Sequence, residues 1–518
     1  MGSFLEDKER NVIPRLRSFA TTLALGELDA FGPKNQDWVD SEQNEALESR
    51  IRAWKQHRST SFAADLVSAA FVVGNQDAAT EAAEFLLADG SDAPNASKAI
   101  ARSLLNREDV AANRRVILHD PTLPTTDELR KNIRSVRLRL REEPRNAILW
   151  AELSREYALL GIEGKAERAM DTAVTLGPSN RFILRSAVRL YIHIGRLGKA
   201  NYVVQRAEST LYDPWLLSAA IATGSAAKKS SQLVKNGREM LQDTAISSFQ
   251  KNELASAIGT LELENGKTKI ARNLFRQALI DPTENTVAQT DWVLRKRHIE
   301  GLDLDLEAIR DKTPFSFESN SWGHFTAGEW KKALLASCKW LRDQPFSTRP
   351  VLLGSYVAAC LLEDYGDSER IIEIGLRANP EEPILLNNLA FSYASSGDID
   401  RAERVFDRID PAAVKDISQQ IAITATAGLL NFRRGFFKEG RTLYRQAIEE
   451  AKKRGMRKLV AVASMYLARE EILSQSSEAE KATQLAAVET AGINEPDIKK
   501  IFEKVTSSLD RVSTTTNK

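Results

Sequence analysis

The sequence predicts an all-α solenoid of stacked helical hairpins with degenerate repeats. Three observations lead there. A glycine followed at five, nine and twelve residues by small or apolar side chains recurs along the chain. Nothing in the chain resembles a set of strands alternating apolar and polar residues with a period of two. At 518 residues the chain is too long for one ordinary core, so several domains or an array are expected.

The clearest unit, 147–180, reads AILWAELSREYALLGIEGKAERAMDTAVTLGPSN. Trp150, Leu153, Tyr157 and Gly161 mark one helix and its turn, Ala166, Met170 and Ala173 a second, and Pro178 stops it. Small residues such as Ala166 and Ala173 let two helices approach, while Trp150, Leu153 and Tyr157 fill the space between them. Gly161 ends the first helix where left-handed backbone costs little. One such pair cannot bury its apolar face, so pairs must stack. The same ruler on Gly74 gives Ala79, Ala83 and Leu86; on Gly195, Ala200, Val204 and Ala207; on Gly266, Ala271, Phe275 and Ala278. On Gly328 it gives Ala333, Ser337 and Trp340; on Gly397, Ala402, Phe406 and Ile409; on Gly435, Gly440, Tyr444 and Ala447.

These spacings resemble the tetratricopeptide repeat family, W-x2-L-G-x2-Y, then A-x3-F, then P, with Ser154 for the glycine and Met170 for the phenylalanine. The resemblance implies a right-handed superhelix whose concave groove, lined by the first helix of each unit, holds an extended peptide or a partner helix. It also implies groove-facing positions: Glu152 and Arg155 in the 147 unit, and Arg185, Arg189 and His193 in the next. Arg155, Arg185 and Arg189 then form a basic strip suited to an acidic peptide segment, with bidentate bonds open to carboxylates. The alternative is a solvated wall salt-bridged to Glu152 and its neighbours. Asn387 and Asn388 stand near positions where family members bind peptide backbone through asparagine amides. Glu152, Ser186, Ala257 and Thr426 occupy the position of Asn388 in other units, so there is no asparagine ladder. Cys360 stands six residues before Gly366, where chaperone-tail-binding members carry a second asparagine, so their carboxylate clamp is not expected.

In chain order, residues 11–30 read as one helix after Pro14, and 42–54 as a second, amphipathic one. The first sixty residues are read as a cap on the array, with a docking arm as the other option. HDPTLPTT, 119–126, is a proline-bearing break, after which Thr126 caps a helix over 127–143. Residues 215–250 and 283–313 are helical but off the repeat, and 301–314 holds only a short helix at a bend. The unit between Pro350 and Pro380 carries a longer first helix ahead of Gly366. The expected organisation is an N-terminal helical region with a possible cap (1–122), a first superhelical block (123–313), a second (314–495), and a C-terminal helix and polar tail (496–518), with 506–518 frayed.

Composition narrows the function. With 72 basic and 71 acidic side chains the net charge is +1, which offers no overall field for nucleic acid or an anionic membrane. The 2 cysteines, Cys338 and Cys360, suit a reducing compartment and buried thiols. No apolar run approaches the roughly 20 residues of a membrane span, and the charged start MGSFLEDKER is not that of a signal peptide. A cytoplasmic protein is expected.

No catalytic or metal constellation is legible, and no cofactor is expected. Gly266-Lys267-Thr268 imitates the end of a phosphate-binding loop, but Leu261 stands where that loop needs glycine. The 5 histidines are scattered and none has zinc-ligand spacing. The helix LRKNIRSVRLRLR, 129–141, carries a buried stripe of Leu129, Ile133, Val136 and Leu140. Arg130, Arg134, Arg137 and Arg141 make a parallel charged stripe that either meets phosphates or is solvated and paired with Glu142 and Glu143. Lys452, Lys453, Arg454, Arg457 and Lys458 pose the same choice. The expected function is a non-enzymatic scaffold or adaptor for protein partners. The alternatives are a nucleic-acid-binding helical repeat using the arginine stripe and a peptide-sensing regulatory subunit of a separate enzyme.

Overall fold

The computed structural model describes residues 11–28, 41–73, 75, 77–91, 93, 95–105, 123–227, 233–297, 299, 301–302 and 304–516. The fold is all-α, a solenoid of helical hairpins of the tetratricopeptide-like kind, with no strand among the described residues. The chain divides between Ser319 and Asn320 into two compact units; the sequence suggests that boundary at 313/314.

The first unit opens with an extended stretch, 11–18, and the short helix α1 (Phe19–Ala24). The single long helix expected after Pro14 does not form. Pro14 has no N–H and pushes Ile13 away from helical backbone, and the Ser18 hydroxyl accepts from Thr21 N, so the helix begins only at Phe19. Four helices follow: α2 (Ser41–Gln56), α3 (Thr60–Val73), α4 (Thr80–Leu87) and α5 (Asn95–Leu105). Gly74 and the break at 119–122 lie outside the described residues. Helix α6 (Thr126–Glu142) starts from a capping box in which Thr125, not Thr126, is the cap and Glu128 reaches back to it.

Hairpins then run in series: α7 (Ala147–Leu159) with α8 (Glu163–Leu176), α9 (Arg181–His193) with α10 (Leu197–Arg206), and α11 (Pro214–Ala226) with α12 (Leu233–Gln242). They continue with α13 (Ser248–Glu264) and α14 (Thr268–Ala278), then α15 (Glu284–Arg297) and the short α16 (Leu306–Lys312). Helix α17 (Phe317–Thr326) carries the division between the units.

The second unit contains α18 (Trp330–Asp343), α19 (Thr348–Tyr356), α20 (Tyr365–Ala378), α21 (Pro383–Ser396) and α22 (Ile399–Phe406). It ends with α23 (Ile417–Arg433), α24 (Phe437–Lys453), α25 (Arg457–Leu473), α26 (Ala479–Thr490) and α27 (Pro496–Thr516). Helix α27 starts on a buried stripe of Ile498, Ile501 and Val505 and continues to Thr516, within the stretch whose composition reads as a frayed tail.

The repeat ruler describes real contacts. The turn glycines from Gly161 to Gly435 all have positive φ, between 68° and 97°. Ala166, Ala200, Ala271, Ala333 and Ala402 are completely buried where paired helices meet. Ser154, standing for the motif's glycine, is also buried and donates its hydroxyl to Ala166 O at 2.7 Å, fastening α7 to α8. At Gly440 a Cβ would lie 2.9 Å from Gly428 O, so backbones touch there and alanine does not fit. Two expectations are corrected. Trp150 is half-buried, donating its indole N–H to Pro144 O instead of filling the helix interface. Gly366 lies inside α20, and the turn before it is made by Glu363 at φ 59°, because Val357–Leu362 winds as a π-helix after α19.

Candidate functional site

The first helices of successive hairpins, α7, α9, α11, α13 and α15, pack side by side. Across their faces lies the arm, residues 11–28. Its extended part buries alternate residues Val12, Pro14 and Leu16, the period-two pattern of a strand bound on one side. Val12 enters a core cluster with Leu217 and Ile221 of α11 and Leu254 and Ile258 of α13. Phe19 meets Phe182 of α9 edge-on, with ring centroids 5.0 Å apart.

Polar contacts hold the arm from both ends of the array. Asn285 of α15 donates to Ile13 O at 3.0 Å. Arg15 meets Glu318 of α17 and lies 3.7 Å from Glu284 of α15. Arg17 donates to Glu284 at 2.8 Å and also reaches Glu27 within the arm. Phe19 N donates to Glu152 of α7. Arg181 donates to Glu27 O at 3.1 Å, and Arg185 reaches the Glu27 carboxylate at 3.3 Å. The arm is therefore not a cap on the end of the stack. It lies along the faces that the resemblance assigns to a peptide.

That placement changes the charge reading. Arg185 is buried, stacked over Trp215 and gripped by both oxygens of Glu253, at 2.8 and 3.3 Å. Burial works against its charge, but Glu253 and Glu27 outweigh that and hold its pKa above the usual range. Its fork is committed within the fold and is not part of a strip awaiting an acidic tail. Burial pushes the Glu27 carboxyl up to about 7, against Arg185 and Arg17 and with the help of Glu284 and Glu253. Glu152 is pushed up by burial, with Arg155 and the bond from Phe19 N opposing it.

Arg155 bonds Glu156 at 3.0 Å, as the wall reading expects of a neighbouring carboxylate. Arg189 and His193 are half-buried on α9, and burial, with Arg189 beside it, pushes the His193 imidazole down to about 4. In the second unit Asn387 is fully buried and Asn388 nearly so. Asn387 donates to Asn388 at 3.4 Å, and its own carbonyl oxygen has no hydrogen-bond partner. Neither amide projects into open space.

On α6, Arg130, Arg134, Arg137 and Arg141 are all exposed. They do not pair with Glu142 or Glu143; Arg130 meets Asp127 at 3.4 Å, and Arg134 donates to Arg130 O. Glu143 is engaged by Asn146 at 2.7 Å instead. Three members of the second basic cluster are closely paired: Lys452 with Glu489 at 2.9 Å, Arg454 with Glu450 at 3.1 Å and Lys458 with Glu495 at 3.1 Å. Lys267 of the decoy loop lies 3.2 Å from Glu262.

Among the described residues no group of three or more His, Cys, Asp or Glu side chains could hold a metal ion, and no helix is long and apolar enough to cross a membrane. Cys360 is buried, its thiol pushed up to about 11 by burial, and Cys338 is half-buried. An apolar pocket in the second unit lies among Phe391, Ile421, Tyr444, Leu459 and Tyr466.

Sequence reasoning missed the arm's contribution: Arg15, Arg17, Phe19 and Glu27, with Glu253, Glu284 and Glu318 as their counterparts. The alternation of Val12, Pro14 and Leu16 was a signal of extended backbone available in the sequence.

No protein family matches the chain, and no curated protein matches it. Among solved structures it is similar to a human IFIT1 dimer with PPP-AAAA, at 15% identity over 76% of this chain and 96% of that one, TM-score 0.36. It is similar to the APC/C hetero-tetramer Cut9–Hcn1, at 12% identity over 94% and 99%, TM-score 0.37. It is also similar to yeast Tom70, at 14% identity over 76% and 93%, TM-score 0.29.

Proposed function

We propose that the chain is a non-enzymatic, cytoplasmic scaffold or adaptor that binds protein partners through the groove or the edges of its repeat units. One observation carries this reading: an extended stretch and the short helix after it lie across five consecutive hairpin-starting helices, held by apolar, ionic and main-chain contacts together. A surface that grips residues 11–28 in this way has the chemistry to grip another segment. Arg155, Arg189 and His193 are the proposed partner contacts on α7 and α9, and Asn388 orders the wall of α21 through its bond to Asn387. Arg185 and Asn387 act by shaping the wall from beneath. Affinity capture of the full chain from its native cell, nuclease-treated and at moderate salt, tests the reading. A stoichiometric protein that survives nuclease supports it; recovery of nucleic acid without such a protein sinks it.

The second reading, phosphate binding by α6, has its own observation. Arg137 and Arg141 are exposed and have no acidic partner among the described residues. Binding led by phosphates must fall steeply with ionic strength. R134E/R137E should then abolish nucleic-acid retention while leaving stability within about 0.5 kcal/mol of wild type, as for ordinary surface changes.

A further inference from the structure

We propose that residues 11–28 are an exchangeable occupant of the first unit's groove. The partner they give way to is an extended polypeptide segment with two arginines around a leucine and an aromatic residue two places on. That pattern is the arm's own Arg15-Leu16-Arg17-Ser18-Phe19. The inference rests on the scaffold reading above and names the chemistry of its partner.

The groove is built for a basic occupant. Glu284 and Glu318 meet the arm's two arginines from two different helices, and Glu152 accepts the Phe19 N–H from a third, while Glu253 holds Arg185 in the wall beneath. Both guanidinium groups that meet Glu284 belong to the arm, and Glu284 is itself buried. A buried carboxylate without a partner is strongly destabilising, so the arm leaves readily only when another cationic segment replaces it. Spacing adds selectivity. Leu16 is buried between the two arginines, and Phe19 enters beside Phe182, so a competitor must present its apolar groups in the same register.

The attachment is also of a kind that reverses. Buried ion pairs contribute little net stability compared with apolar packing of equal volume, yet they discriminate strongly between partners. The arm spends two arginines and a glutamate on its seat where a permanent core segment has aliphatic side chains. Because it is tethered, it competes at an effective concentration of about millimolar. A free segment of equal intrinsic affinity is thus held off until the arm's grip is loosened.

The test uses the full chain. A fluorescein-labelled peptide with the sequence of residues 11–28 is titrated into wild type and into R15A/R17A, with anisotropy as the readout. The peptide is expected to bind the double variant about tenfold or more tightly than wild type. Adding E284Q to the double variant should weaken it again. Hydrogen exchange of the wild-type arm amides is measured in parallel, and they are expected to exchange orders of magnitude faster than the slowest amides of α9 and α13.

Binding to neither protein, with R15A/R17A melting as a folded chain, overturns the inference. If the double variant does not fold, exchange decides: arm amides as slow as the slowest core amides make the arm a fixed part of the fold. If wild type forms concentration-dependent dimers with arms exchanged between copies, the occupant is a second copy and the inference is overturned in that form. A chain that captures a stoichiometric partner but never releases its arm loses only this inference. Release of the arm with no captured protein sinks the scaffold reading instead.

Discussion

Glu27 and His193 titrate with opposite sign in overlapping pH windows. Burial raises the Glu27 carboxyl from 4.5 to about 7, with Glu284 and Glu253 adding to the rise and Arg185 and Arg17 opposing it. Between those values the folded chain binds more protons than the unfolded one. Its contribution is therefore fully present below pH 4.5 and is lost as pH rises through about 7. The His193 imidazole falls from 6.5 to about 4 through burial and the nearby Arg189. Its contribution is present above pH 6.5 and is lost as pH falls through about 4. Urea midpoints measured from pH 4 to pH 8 should show both effects. Glu27→Gln should flatten the decline on the neutral side, and His193→Gln the decline on the acid side. Variants that track wild type at every pH would show that neither group's burial shapes the profile. Ser154 gives a pH-independent residue-scale prediction: Ser154→Ala leaves the buried Ala166 carbonyl without its 2.7 Å donor, which should cost about 1 kcal/mol.

At the scale of elements, helix starts decide how firmly the arm's seat is held. Helix α13 begins in a capping box between Ser247 and Gln250 and carries Glu253, the residue that fixes Arg185. Ser247→Ala should cost about 1 kcal/mol. It should also raise amide exchange in the first turn of α13 more than in the first turn of α9, which Asn180 caps independently. Equal change in both would mean the cap acts on the whole unit. The contrast between these helices and the arm shows what the sequence made legible. The hairpins follow from local rules, since glycine turns, fully buried alanines and apolar periods lie close together in the chain. The arm depends on partners more than 250 residues away, such as Glu284 and Glu318, and no spacing within residues 11–28 encodes them. Arg185 drops out of the basic strip for a related reason. Arg185 does lie on the predicted face, but Glu253, 68 residues on, had already claimed its guanidinium. Gly366 misled because a π-helix moved the turn back to Glu363, a shift that no residue type announces.

At the scale of the whole chain, a hairpin array distributes stability through nearest-neighbour contacts, so damage should stay local. Ala271 tests this within the first unit. It is completely buried on α14 beside Phe275, Trp292 and Val293, so Ala271→Leu forces three further carbons into a filled interface. Such overpacking should cost about 1–3 kcal/mol. Native-state hydrogen exchange should show the loss concentrated in α13, α14 and α15, with α3 and α4 at the other end of the same unit retaining their protection. The arm complicates the simple array in a measurable way, because it touches α7, α9, α11, α13, α15 and α17 together. Residues 11–28 should therefore lose protection along with the damaged hairpin, although they are distant from it in sequence. If α3 and α4 lose as much protection as α13–α15, the unit is one cooperative block. If the arm keeps its protection while α13–α15 open, it does not depend on the seat that α13 and α15 provide.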